Sequence, residues 1–175
     1  EVITGFRLCL GGAAEYFSVI PDLHTFGKLI GGGFPIGVYG GRKDIMEKAV
    51  SLRAHGGARG KIFQSGTFSG APPSMAAGLA MVSALESSEV YRTAGDRAEQ
   101  LRAGWRSITG ELGMAAQITG IESMFGIYFT DRPIRTLTDA DTSDALVSRA
   151  FSLGLLAHGV YFKPAHPGVI AVTHT

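Results

Sequence analysis

The chain has 175 residues, 45% hydrophobic and 18% charged, which suits one globular domain, or one and part of another, and excludes a disordered chain. Sixteen basic residues stand against fifteen acidic ones for a net charge of +1, with no basic cluster or acidic tail, so no nucleic-acid or membrane partner is expected. Cys9 is the only cysteine, which rules out an internal disulfide and a thiolate metal cluster, and no apolar run reaches the roughly 20 residues of a bilayer span; a soluble, cytoplasmic protein is expected.

The opening EVITGFR reads as the end of a strand, with Val2 on one face and Glu1 on the other, and it lacks the features of a signal peptide. Without an initiator methionine, and with VIAVTHT closing on another strand, the sequence reads as a piece of a longer polypeptide. PDLHTF leads into a short strand at Leu23 to Phe26 that runs out at Lys28, and Ile36 to Tyr39 is a second strand between glycines. A helix is predicted over Arg42 to Val50 with Ile45, Met46 and Ala49 inward, followed by a basic loop, Ser51 to Lys61. Pro72 and Pro73 open a small-residue helix to about Leu85, with Ser69 or Gly70 near its cap.

A more polar helix, Val90 to Leu112, carries Leu101, Trp105, Ile108 and Leu112 at helical spacing. Ala115 to Thr119 and Met124 to Phe129 read as paired strands, Asp139 to His158 as a helix, and Val160 to Phe162 and Val169 to Thr173 as strands. Strand–helix alternation followed by helix and β-β-α-β-β predicts an α/β domain over residues 1–86 and a smaller α+β domain over 87–175.

Three places could carry chemistry. Lys28 stands where a strand meets Gly31 to Gly33, the position beyond a strand's carboxyl end where α/β sheets bind ligands. It is either a surface charge at a turn or, with its amine desolvated, a Schiff-base lysine. Since it precedes the glycines and no Ser or Thr follows it directly, it is not a Walker A lysine. In QSGTFSGAPP, residues 64 to 73, Thr67 either donates to an anion or caps the following helix. The third is the strand end at Val2. No metal is expected, because His55, His158 and His166 lack ligand spacing, and the Asp139 and Asp141 carboxylates read as a helix start.

EVITGFR, then PDLHTFGKLIGGGFPIGVYGGR, then GTFSG before an alanine-rich helix, with SMFGIYFTDRPIR further on, resembles the class III aminotransferases of fold type I, including the glutamate-1-semialdehyde aminomutases. The resemblance implies a chain holding the C-terminal part of the large cofactor domain and a small C-terminal α+β domain. It further implies pyridoxal 5′-phosphate as cofactor, Lys28 as the residue that binds its aldehyde as an internal aldimine, and Val2 packed on the pyridine ring. Thr67 is implied to reach the cofactor phosphate of the neighbouring subunit of a homodimer. The family's aspartate that pairs with the pyridinium nitrogen falls immediately before Glu1, so residues 1–175 alone are expected to be inactive.

Two departures bear on the reaction. Gly70 is followed by Ala71 and Pro72 where the aminomutases have G-N-P, and PAHPG, with Ala165, His166 and Pro167, replaces a longer glutamate-containing loop. Amino-group transfer from a small-molecule donor to a carbonyl acceptor is therefore expected, with intramolecular 1,2-amino migration as the alternative. A non-catalytic module of the same fold is the other alternative, against which the presence of Lys28 and Thr67 argues.

Overall fold

The structure, a computed structural model, describes residues 1–50, 62–63, 65–163 and 166–175. The chain forms two compact units, Glu1–Ser88 and Glu89–Thr175. The basic loop expected at 51–61 lies outside the described residues.

In the first unit, α1 (Gly12–Tyr16) precedes β1 (Leu23–Gly27), which leads directly into one 3₁₀ turn at Lys28–Gly31. β2 (Gly37–Gly41) returns antiparallel to β1, with Phe26 opposite Val38 and Gly27 opposite Gly37. The short α2 (Lys43–Met46) and β3 (Ala49–Val50) follow, and β3 pairs in parallel with β4 (Ile62–Phe63). α3 (Pro72–Leu85) closes the unit, with Pro at its first positions where no intrahelical N–H is lost.

α3 receives the segment after Lys28 at backbone distance. Gly32 has φ +57°, and a Cβ there would lie 2.6 Å from the Ala77 carbonyl oxygen; one on Gly78 would lie 3.0 Å from the Ile30 carbonyl. Hydrogen atoms at Gly32 and Gly78 are what let the turn lie on the helix. The Ser74 hydroxyl adds a bond to the Pro35 carbonyl at 3.0 Å.

Two expectations for this unit are corrected. Val2 and Ile3 are in consecutive turns, not a strand: Gly5 N–H donates to the Glu1 carbonyl at 2.8 Å and Arg7 N–H to that of Thr4 at 3.1 Å. The helix expected from Arg42 to Val50 stops at Met46. Ile62 N–H donates to the Lys48 carbonyl at 2.7 Å, and Ala49 and Val50 join β4, so pairing outweighs helix propensity.

In the second unit α4 (Ser88–Glu111, its first residue in the first unit) carries buried Ala94, Ala98 and Arg102. β5 (Gln117–Thr119), β6 (Met124–Tyr128) and β7 (Gly168–Val169) form an antiparallel sheet in that order. Trp105 meets Phe125, Phe151 and Phe162 edge-on at centroid separations of 5.3, 5.8 and 5.8 Å. The Arg102 guanidinium bonds Glu99 and donates to the carbonyls of Glu122 and Met124 at 2.9 and 2.6 Å, tying the β5–β6 turn to α4.

The single helix expected over Asp139 to His158 is two, α5 (Leu137–Ala140) and α6 (Ala145–Ala157). Between them Asp144 N–H donates to the Phe129 carbonyl and the Ser143 hydroxyl accepts from Phe129 N–H, each at 2.9 Å. Asp144 then caps α6 through Leu146 and Val147 N–H, and Thr136 with Asp139 forms a capping box on α5. Val160 to Phe162 is not a strand, because Val160 N–H closes the end of α6 on Leu155 and Phe162 gives its ring to the aromatic cluster. The last strand is limited to Gly168 and Val169. Among the described residues no helix is long and apolar enough to cross a membrane.

A Cβ at Gly32 has neither the torsion angle nor the space it needs. Gly32→Ala in the full-length protein is expected to lower stability by about 2–4 kcal/mol, read as a fall in denaturant midpoint at unchanged slope. An unchanged midpoint would show that the turn does not rest on α3 as described.

Candidate active site around Lys28

Lys28 follows the last residue of β1 and is exposed. Its φ is +53°, a left-handed conformation that a residue with a Cβ adopts at a cost of roughly 1 kcal/mol or more. The β1–β2 ladder fixes the chain before it, and the Gly32–Ala77 contact fixes the chain after it. This turns the lysine out of the path of the strand. Among the described residues its amine has no hydrogen bond or ion pair.

Val2 is brought to the same place. A Cβ on Gly27 would stand 3.5 Å from Val2 Cγ1 and 3.4 Å from the Ile36 carbonyl oxygen, so an apolar side chain lies against the residue directly before the lysine. Thr67 lies elsewhere in the first unit, exposed on the turn Gly66–Gly70, where Ser69 N–H donates to the Gly66 carbonyl at 3.0 Å. Among the described residues no hydrogen bond joins it to Lys28 or Val2. The capping alternative for Thr67 is not realised: the N-cap of α3 is Ala71, which has no side-chain bond to the helix. Pro72 and Pro73 also remove two N–H donors from that helix end.

The sequence reading assigned no role to Glu1, yet its carboxylate organises the turn carrying Val2. It accepts from Ala13 N–H at 3.0 Å, Ala14 N–H at 2.7 Å and the Thr4 hydroxyl at 2.7 Å, closing EVITGFR onto the start of α1. Burial pushes the carboxyl up, but the hydrogen bonds from Thr4, Ala14 and Ala13 outweigh it and hold Glu1 below the ordinary glutamate value. The acceptor twelve residues before its donors leaves no local signal in the sequence.

The donor set is thus an uncommitted primary amine, an aliphatic wall beside it, and a hydroxyl on a separate exposed turn. Amine and wall suit a flat ring bearing an aldehyde, and the hydroxyl suits its anionic substituent.

Comparison with known proteins gives the family of the chain. The family profile "Aminotransferase class-III" matches residues 1–175. The chain belongs to the class-III aminotransferase family. Glutamate-1-semialdehyde 2,1-aminomutase of Methanothermobacter thermautotrophicus is 42% identical over 94% of the chain, and the chain spans 37% of that protein. An omega-transaminase from Sphaerobacter thermophilus superposes with TM-score 0.82 at 32% identity, over 98% of the chain and 38% of its own. The PLP internal aldimine form of FumI from Sphingopyxis sp. MTA144 superposes with TM-score 0.79 at 25% identity, over 99% of the chain and 37% of its own. The chain therefore carries part of the α/β fold of the fold type I transaminases, as its sequence implies.

Glu1 has a depressed folded pKa, so its contribution to stability is present above the ordinary glutamate value and lost as pH falls through the lowered one. Glu1→Gln in the full-length protein is expected to cost about 0.5–2 kcal/mol at neutral pH and to flatten the acid side of the stability–pH curve. Denaturant unfolding at a series of pH values measures both. Parallel curves for the two proteins would show that the charge of Glu1 does not hold the turn.

Proposed function

We propose that the full-length protein is a pyridoxal 5′-phosphate-dependent aminotransferase that moves an amino group from a small-molecule donor to a carbonyl acceptor. Lys28 carries the reading: a lysine held in a left-handed conformation at a strand end, its amine uncommitted and Val2 beside it. When bound, the cofactor supplies an aldehyde that condenses with amines and a ring that takes up electrons released at the adjacent carbon. In this reading the Lys28 amine would hold the cofactor through its aldehyde, and Nζ would be the group that accepts and returns a proton beside it. Val2 shields one face of the ring from water. Thr67 donates its hydroxyl to the cofactor phosphate of the second subunit, which makes the site a property of a cytoplasmic homodimer. The large domain and the small domain divide at about residue 86, ahead of α4.

Intramolecular amino migration is the second reading, favoured by one observation, the 42% identity to a glutamate-1-semialdehyde 2,1-aminomutase. Against it stands the stretch before β7, where His166 and Pro167 are exposed. An aminomutase must retain a diamino species while the second carbon reacts, and this stretch has no carboxylate to hold its ammonium group. Incubation of the full-length protein with glutamate-1-semialdehyde separates the readings. Slow or no conversion without a donor or acceptor, and two separable half-reactions with them, is expected. Efficient formation of 5-aminolevulinate with nothing added would replace the transaminase reading with the mutase one.

Thr67→Ala is expected to weaken cofactor retention about ten- to a hundredfold, the loss of one hydrogen bond to a charged group of about 1.5–3 kcal/mol. Lys28→Ala is expected to cut turnover by roughly 10²–10⁴-fold or more, the loss of a positioned acid–base group. In mixed dimers of the two variants, one site carries both lesions and the other neither, so activity should return. Mixed dimers whose active site retains the cofactor no better than the Thr67→Ala parent would remove Thr67 from the partner's site.

A further inference from the structure

We propose that the stacked rings of His24 and Phe26, met by the tilted ring of Phe6, are the positioning device of the Lys28 site, setting where Val2 stands beside the lysine. The inference rests on Lys28 and Val2 holding the cofactor as proposed above. β1 alternates: Leu23 and Thr25 are exposed, whereas His24 and Phe26 turn inward. The rings of His24 and Phe26 are 5.6 Å apart and within 10° of parallel, and the Phe6 ring lies 5.5 Å from Phe26 at 56°. His24 and Phe26 form a stacked pair on the strand, and the tilted Phe6 ring joins that pair to the turn that carries Val2.

The turn is fitted to that stack. Phe6 has φ +60°, a conformation bulky side chains avoid, and in it the ring meets Phe26. A Cβ on Gly5 would lie 2.8 Å from Phe26 Cδ1, so the backbone of the turn runs against the ring edge. The turn therefore touches β1 at two successive residues, Phe26 through Gly5 and Phe6, and Gly27 through Val2. Phe26 sets the distance between turn and strand, and through that distance the depth of Val2 next to Lys28. His24 backs the Phe26 ring. Its Nδ1 is buried with no hydrogen-bond partner among the described residues, so within the stack it serves as a flat ring.

A stack serving only stability would lower the melting temperature and leave the cofactor's surroundings alone. A positioning stack acts on the cofactor through Val2. The test uses the full-length holoenzyme with Phe26→Leu, Phe26→Tyr, Val2→Ala and the double variant of Phe26→Leu with Val2→Ala. The dissociation constant for pyridoxal 5′-phosphate and the circular dichroism of the bound cofactor are measured beside the melting temperature. Phe26→Leu is expected to raise the dissociation constant about three- to tenfold and to change the cofactor's dichroism, and Phe26→Tyr, which keeps the ring, to leave both close to wild type. In the Val2→Ala background the same Phe26→Leu change should add less than about twofold, because the two residues act on one contact. Phe6→Leu, which leaves β1 intact, should repeat the pattern and serves if Phe26→Leu does not fold. Fully multiplicative effects of Phe26→Leu and Val2→Ala, or a lowered melting temperature with unchanged cofactor affinity and dichroism, would overturn the proposal. A wild-type enzyme that retains no cofactor would overturn the reading of Lys28, and this inference with it.

Discussion

The first unit depends on one approach of backbone to backbone, the turn after Lys28 lying on helix α3. The Ala77 carbonyl oxygen sits 2.6 Å from where a Cβ of Gly32 would be, and the Ile30 carbonyl 3.0 Å from that of Gly78. With the turn held from below and the β1–β2 ladder holding the strand from behind, the chain at Lys28 has no freedom to relax to an ordinary extended path. A left-handed lysine survives under those conditions and is otherwise rare. The same restraint that costs backbone energy fixes the direction in which the amine leaves the strand. Rigid elements on both sides are what a covalent anchor for a cofactor needs.

Around that point the molecule uses ordinary forces in an uneven way. Glu1 commits its carboxylate to α1 amides, and Phe26 and Phe6 bring the same turn onto β1. Val2 is placed by both. Thr67 is left on an exposed turn, and the helix that follows starts at Ala71 without a side-chain cap from it. In the second unit, Arg102 and the aromatic cluster around Trp105 join α4 to the sheet and fill the core.

Much of this was legible in the sequence where local chemistry decides. Pro72 marks the start of α3, the run from Leu23 to Phe26 marks β1, and a lysine between a strand and three glycines marks the candidate site. The parts that were not legible were settled by distant partners. Val2 and Ile3 have strand-forming side chains, but Glu1 is drawn to Ala13 and Ala14 and the segment closes into turns. Helix propensity over Arg42 to Val50 yields to pairing of Ala49 and Val50 with Ile62 and Phe63, and that over Asp139 to His158 yields to bonds between Phe129 and residues 143 and 144. Gly32 could be read only as a turn glycine, since its closest neighbour, the Ala77 carbonyl, lies far along the chain. Sequence also could not place Thr67 relative to Lys28, because among the described residues no hydrogen bond joins them.

The central claim is that Lys28 bonds covalently to the cofactor, and it can be tested without any assumption about substrate. The full-length protein, loaded with pyridoxal 5′-phosphate, is treated with borohydride, digested and sequenced by mass spectrometry. The account predicts the phosphopyridoxyl group on Lys28 and on no other lysine. Its recovery on a different lysine, or a protein that takes up no label while fully folded, would contradict it.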